Sequence, residues 1–209
     1  MLGGQFGETK SQRFLAKSLA TSKKMKTEKQ IALGKKTTLI SFLIGTVIFG
    51  IYFLTSNWQL LFVGYGFIIV AGIFNIIILI LTLTKANSDS ENRKKLLKTS
   101  GLMLINIPIL FIYVWFAMLL IGNMRITFTN TTENKLTEIN IIGCETEHIV
   151  ELEPNESKTV WVGITGDCSI KIDYNENGEI KNEIVAGYVT GGMGQKMNHK
   201  IGGENHLKF

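Results

Sequence analysis

The run Trp58–Leu83, WQLLFVGYGFIIVAGIFNIIILILTL, holds no Asp, Glu, Lys, Arg or His over 26 residues. As a helix at 1.5 Å per residue it reaches about 39 Å, more than the roughly 30 Å of a bilayer's hydrocarbon core. Two further blocks share its character. Thr38–Leu54 and Gly101–Ile121 are also free of charge, with helical lengths of about 26 and 32 Å. A chain of 209 residues could hardly bury three helices that are apolar on every side. Three transmembrane helices are therefore expected, the second long enough to tilt.

These blocks sort the charge. Residues 1–38 carry nine Lys or Arg against Glu8 and Glu28, a balance of +7. The stretch 85–100 carries five against two, a balance of +3, and Thr55–Asn57 carries none. Basic residues mark the cytoplasmic side, so the N-terminus and 85–100 are expected there and everything beyond Ile121 opposite. That tail holds eight basic and thirteen acidic residues, a balance of −5, so the whole-chain +5 conceals opposite charges. The expected organisation is a basic cytoplasmic arm (1–37), a three-helix region (38–122) with a cytoplasmic loop over 85–100, and an extracytoplasmic β-domain (123–209). The basic region is too long for a cleaved signal peptide, and Leu2 stands where myristoylation requires glycine.

From Met124 the pattern turns to short alternating segments: 125–129, 136–142, 148–152, 159–162, 168–174 and 179–189 each read as half-buried strands. Pro154-Asn155, Gly166-Asp167 and Asn177-Gly178 punctuate them, the last a two-residue hairpin signal. Strands at this spacing, with no helical period between them, suggest a small antiparallel sandwich or barrel. The rhythm Thr-Asn-Thr-Thr, strand, Leu-Glu-Pro-Asn-Glu-Ser, strand resembles immunoglobulin-like bacterial surface domains. The resemblance is one of architecture, covers only the β-domain, and implies an immunoglobulin-like sandwich.

Both cysteines, Cys144 and Cys168, fall in this domain. A disulfide suits an oxidising compartment and a domain with few large apolar residues. Unpaired thiols are one alternative. A metal site using Cys144, His148 and Cys168 is another, although no fourth ligand is evident and the spacing fits no zinc pattern. Met193, Met197 and His199 could offer soft ligands, but a glycine-rich hairpin with incidental Met and His is the plainer reading. Gly187-Tyr-Val-Thr-Gly-Gly-Met-Gly194 lacks the ending and the helix of a phosphate loop. No nucleophile, base and orienting group are set together, so neither enzymatic activity nor a cofactor is expected. Asn130-Thr-Thr132 and Asn155-Glu-Ser157 fit the glycosylation pattern, relevant only in a eukaryotic source.

Uncharged helices argue against a proton relay or a voltage sensor. Asn75 and Asn106 stand on antiparallel helices at nearly one depth, about 7 Å to the cytoplasmic side of the midplane. They are expected to bond each other or a shared partner helix. Pro108 removes the hydrogen bond to the Leu104 carbonyl and should kink the third helix. Ser41 and Gly45 form a small-xxx-small pair suited to close packing. Leu61-Phe-Val-Gly-Tyr-Gly66 is similar to the filter loop of potassium channels, which is extended and reached through a pore helix. Only the nine residues Thr55–Val63 separate Leu54 from Gly64, and Phe62 replaces the filter threonine. Gly64 and Gly66 are therefore read as a helix-packing surface.

In the arm, Phe14, Leu15, Leu19, Ser22 and Met25 fall on one helical side among Arg13, Lys17, Lys23, Lys24 and Lys26, a basic amphipathic segment suited to anionic lipid. Without aromatic platforms it does not point to nucleic acid. The abundance of Lys, Asn and Ile suggests a bacterial source, hence an inner (plasma) membrane with the β-domain periplasmic or extracellular. The function expected is a non-enzymatic accessory or scaffold subunit of a larger membrane complex, with protein partners beside the bilayer. The alternative is a transport or pore-forming component built from oligomerised helices.

Overall fold

The structure, a computed structural model, describes residues 10–205. The readings placed on residues 1–9, Leu2 among them, lie outside the described residues. The chain forms α1 (Lys10–Thr55), α2 (Gln59–Ser88), α3 (Arg93–Leu104) and α4 (Asn106–Ile121), then β1 (Asn123–Asn130), β2 (Leu136–Ile142), β3 (Glu147–Leu152), β4 (Ser157–Gly163), β5 (Cys168–Glu176), β6 (Glu179–Val189) and β7 (Lys196–Ile201). Lys10–Thr55, Gln59–Ser88 and Arg93–Ile121 are long and apolar enough to cross a membrane.

Three boundaries differ from the sequence expectation. The arm is not a separate segment, because α1 runs unbroken from Lys10 through the apolar block. The stretch 85–100, expected as a loop, is helical except for Asp89–Asn92. Charge marks where an apolar surface ends, and a helix rich in Lys and Arg continues past that point. Near Pro108 the third helix is interrupted at Ile105, which keeps α-helical angles of −62° and −27°. The interruption follows Leu104, whose carbonyl the proline ring would meet.

The chain divides into two compact units, Met1–Val47 with Val63–Leu110 and Ile48–Phe62 with Phe111–Phe209. In the first, Ile78, Thr82 and Ala86 form a buried stripe at four-residue spacing on α2. Leu96, Thr99, Ser100 and Met103 of α3 are buried, as are Thr27 and Thr38 of α1. Gly34 permits this packing: a Cβ there would lie 2.7 Å from the Thr99 methyl. Larger side chains such as Phe74 and Ile77 stay exposed.

The second unit contains two sheets, ordered β4-β1-β7 and β3-β2-β5-β6. One buried cluster draws on both, with Met124, Ile126 and Phe128 of β1 against Ile139, Ile141, Ile170 and Ile172. Glu176 pairs with Glu179 across the turn Asn177-Gly178, where both residues have positive φ, as a type I′ hairpin requires. The expectation of all-antiparallel pairing is corrected at one place: β7 runs parallel to β1. This strand lies where the sequence suggested only a hairpin. Its inward positions are Met197, His199 and Ile201, and a buried histidine breaks the apolar alternation.

Cys144 and Cys168 form a disulfide with a Cα separation of 5.4 Å. It ties the end of β2 to the start of β5, on strands already paired. Replacing both cysteines by Ala is expected to lower the stability of the β region by roughly 3 kcal/mol, from the unfolded-chain entropy of a 24-residue separation. Denaturant unfolding followed by the near-ultraviolet signal of Trp161 checks this, and reduction should reproduce the shift.

Candidate functional site

The last carbonyls of an α-helix have no partner within the helix. At a membrane boundary they need protein donors, because unsatisfied peptide groups are heavily penalised there. In the second unit the β region supplies those donors. Helix α4 ends at Ile121 and β1 begins at Asn123, with only Gly122 between. Gly122 N–H bonds Met118 O at 3.0 Å, and Asn123 Nδ2 donates to Leu119 O at 2.7 Å. Gly194 N–H reaches Ile121 O at 2.8 Å, and Ile164 N–H reaches Gly122 O at 2.9 Å. A Cβ on Gly194 would fall 2.4 Å from the carbonyl oxygens of both Leu120 and Ile121. Only glycine allows that approach.

The end of α1 is met in the same way. Ser56 N–H bonds Tyr52 O at 2.8 Å, and Thr55 Oγ1 donates to Ile51 O at 2.8 Å. Phe53 O accepts from Nη1 of Arg125 at 2.6 Å, while Nη2 donates to Ser56 Oγ. Along β1 the core residues Met124, Ile126 and Phe128 alternate with Arg125, which therefore stands on the opposite face. It is nevertheless only 5% exposed. The Phe53 and Trp161 rings cover it, with centroids 5.2 and 5.5 Å from the guanidinium carbon, within cation–π range. A cation at a helix C-terminus also meets the negative end of the helix dipole. The sequence reading saw Arg125 only as the first residue of a strand. Its signal was available: a lone arginine four residues beyond an apolar block.

A second constellation joins the two sheets where no backbone pairing links β6 to β7 among the described residues. Glu183 of β6 accepts from Tyr174 Oη and from Gly202 N–H, both at 2.8 Å. Its other oxygen lies 2.8 Å from His199 Nε2. His199 is 1% exposed, with the Phe128 ring edge-on at 5.9 Å. Burial raises the Glu183 carboxyl pKa, but His199, Gly202 and Tyr174 outweigh it and hold the group below its ordinary value. Tyr174 is pushed up, first by burial and then by its bond to Glu183. Nearby, Lys181 and then Asn134 hold Glu176 below the usual carboxylate range, against the effect of burial. With His199 and Tyr174 both buried, the arrangement closes a seam rather than presenting a nucleophile.

In the first unit, polar groups line the contact of α1 with its neighbours. Asn75 Nδ2 donates to Ser41 Oγ at 2.7 Å and to Ala71 O at 2.8 Å. Asn106 Nδ2 donates to Thr38 O at 3.1 Å. The two asparagines meet the same helix, three residues apart on it, and not each other. Gly45 faces the Phe67 ring, with 3.5 Å from a virtual Cβ to Cε1. Gly64 is half-buried. Gly66 departs from the packing expectation: it is exposed, and a Cβ there would meet nothing within 4 Å. Tyr65 beside it is exposed too, so this turn of α2 presents an outer face. Further along, Thr27 Oγ1 donates to Asp89 Oδ2 at 2.7 Å, and Gln30 Nε2 to Thr82 Oγ1 at 3.1 Å. The Thr27 hydroxyl first, then Asn92, hold Asp89 below its ordinary pKa despite burial. Arg13, Phe14, Lys17, Lys23, Lys24 and Lys26 are all exposed on α1.

The disulfide places Cys144 and Cys168 together, with His148 instead 3.3 Å from Glu138. His199 Nε2 is engaged with Glu183. Asn130 is fully buried, and its amide donates to Asn134 O and Leu152 O, so this sequon cannot carry a glycan.

No protein-family model matches the chain, and no curated protein does either. Among solved structures, the chain is similar to an NMR structure of a protein from Eubacterium rectale, at 14% identity and a TM-score of 0.30, over 37% of this chain and 74% of that one. A likeness so slight bears on neither fold nor function.

Arg125→Met is expected to destabilise the second unit by about 1–3 kcal/mol, because the Phe53 carbonyl loses its donor. Arg125→Lys should recover only part of this, since an ammonium cannot bond two oxygens as a fork. Gly194→Val should be at least as harmful, whereas Thr129→Ala, on the exposed face of β1, should change little. Thermal melts in mild detergent compare the four. The Glu183 seam predicts a pH dependence. With its folded-state pKa below the unfolded value of about 4.3, its contribution is complete above that value and disappears as pH falls through the folded pKa. Melting temperature against pH should fall in that acid window, and Glu183→Gln should flatten the fall.

Proposed function

We propose that this chain is a non-enzymatic integral membrane protein serving as an accessory or scaffold subunit of a larger membrane complex. Three helices cross the membrane, and the two sheets form a small immunoglobulin-like sandwich held outside the cytoplasm. The observation that carries this reading is the capped junction. A β region joined to α4 by one residue, and donating to the last carbonyls of two helices, behaves as a fixed extension of those helices. A fixed extension is what a scaffold requires, since a partner docked on it inherits the helices' position.

The charge distribution supports the orientation: Lys-rich segments on the cytoplasmic side, an acidic domain opposite. The disulfide supports an oxidising compartment for the β-domain, as in the bacterial periplasm or at the cell surface. Exposed Tyr65 and Gly66 on α2 suit contact with a helix of another subunit. The basic face of α1 suits anionic lipid. Because α1 continues as one helix from its arm into its apolar block, that lipid is expected near Lys26, closer to the apolar block than Arg13 and Lys17.

Copurification in mild detergent under native expression should recover a partner in fixed stoichiometry. A homo-oligomer that conducts ions in planar bilayers would favour the pore-forming alternative, and a lone monomer would count against both. On intact cells or right-side-out vesicles, a membrane-impermeant maleimide should label Cys144 and Cys168 after reduction. Protection of both would reverse the orientation.

A further inference from the structure

We infer that α1 and α2 form a site for the phosphate headgroup of an anionic phospholipid, a conclusion that rests on the cytoplasmic placement proposed for α1. A recess of about 360 Å³ opens between these helices, lined by Lys26, Gln30, Leu81, Thr84, Lys85 and Ser88. Lys85 is the first charged residue beyond the charge-free run that ends at Leu83. The recess therefore lies where hydrocarbon gives way to headgroups. Lys26 reaches this level because Thr27 is bonded to Asp89 and Gln30 to Thr82.

The donors point to an anion. Neither Lys26 nor Lys85 forms an ion pair with a carboxylate among the described residues. The hydroxyl protons of Thr84 and Ser88 are already given to carbonyls of their own helix, Ile80 O at 3.0 Å and Lys85 O at 3.1 Å. Gln30 Nε2 spends one N–H on Thr82, which fixes its amide and leaves the second N–H for a ligand. Two ammonium groups and one oriented amide suit a tetrahedral phosphate, with charge supplied by the lysines and position by Gln30. Basic recesses between helices on the cytoplasmic side take such headgroups.

The surroundings select a lipid over a free phosphate. On α2 the recess residues Ser88, Thr84 and Leu81 continue, at helical spacing, into exposed Ile77 and Phe74. On α1, Lys26 and Gln30 continue into exposed Leu33 and Ile40. An acyl chain attached to a bound phosphate finds its apolar track along α2, running into the charge-free block, while on α1 Lys35 and Lys36 precede that block.

The full-length protein, purified in mild detergent and offered phosphatidylglycerol or phosphatidylcholine, tests the site by native mass spectrometry of retained lipid. Wild type should retain phosphatidylglycerol preferentially. Lys26→Gln with Lys85→Gln should weaken that retention roughly thirtyfold, at about a fivefold loss per cation. Lys10→Gln with Lys17→Gln, matched in charge, should weaken it less than about threefold, because about 14 Å of helix separates Lys17 from Lys26, more than a Debye length. Lys26→Arg with Lys85→Arg should restore retention, which separates loss of the site from loss of the fold. Glycerol 3-phosphate, lacking acyl chains, should not compete at equal concentration; if it does, the lipid assignment is overturned. Equal retention by wild type and the Lys26/Lys85 variant overturns the site. If the Lys10/Lys17 variant alone loses retention, the site falls while lipid binding by the arm stands. No preference for phosphatidylglycerol in wild type overturns both.

Discussion

The constraint on which the second unit depends is the need of helix ends for hydrogen-bond donors where water is scarce. Within a transmembrane helix each peptide group finds its partner along the chain, but the final turn cannot. This protein meets the need with its own β region. The donors come from widely separated places in the sequence: Gly122 and Asn123 beside α4, Arg125 on β1, Ile164 after β4 and Gly194 before β7. Gly122 and Asn123 act four residues along the chain, whereas Arg125, Ile164 and Gly194 reach the helix ends from distant parts of the β region. The helix ends and the β region thus complete one another's hydrogen bonding.

Arg125 shows how such a contact tolerates a buried cation. Its charge is delocalised over a planar group, less strongly hydrated than an ammonium, so less is lost on burial. One nitrogen meets a helix-end carbonyl, another meets Ser56, and aromatic rings cover the remaining surface. Nε stays without a partner, a sign that the position is dictated by the two terminal nitrogens. A similar economy holds at Glu183, where one carboxylate takes a backbone N–H, a phenol and an imidazole and joins strands that share no ladder. In both cases a single charged side chain does what a run of backbone pairs does elsewhere.

These two residues also mark the limit of what was legible in the sequence. The three apolar blocks, the switch to alternating segments at Met124 and the Asn177-Gly178 turn are local patterns, and local patterns are readable from one chain. The first six strands followed from alternation alone. Strand β7 did not, because His199 occupies a core position and is acceptable there only through Glu183, sixteen residues earlier. The helical continuation through 85–100 was hidden by charge, which reports the solvent a segment faces and says little about its backbone. Asn75 and Asn106 were expected to bond each other or a shared partner helix, and they meet α1, but the acceptors themselves, Ser41 Oγ and Thr38 O, are named by no pattern in their own helices. Arg125 belongs to the same class: its partners are 69 and 72 positions away.

Chain order gives the junction a further consequence. Sheet β4-β1-β7 pairs the first strand after α4 with the last strand of the β region, a contact of high sequence separation. Immediately before β7, Gly194 bonds Ile121 O and the Gln195 carbonyl accepts from Arg125 N–H at 2.8 Å. The residues that lead into β7 thus lie against the end of α4, and sheet pairing and helix capping meet at Gly194. A side chain at that position crowds the Leu120 and Ile121 carbonyls and breaks the bond from Gly194 N–H to Ile121 O. The end of α4 and the entry to β7 are thus fixed by the same residue.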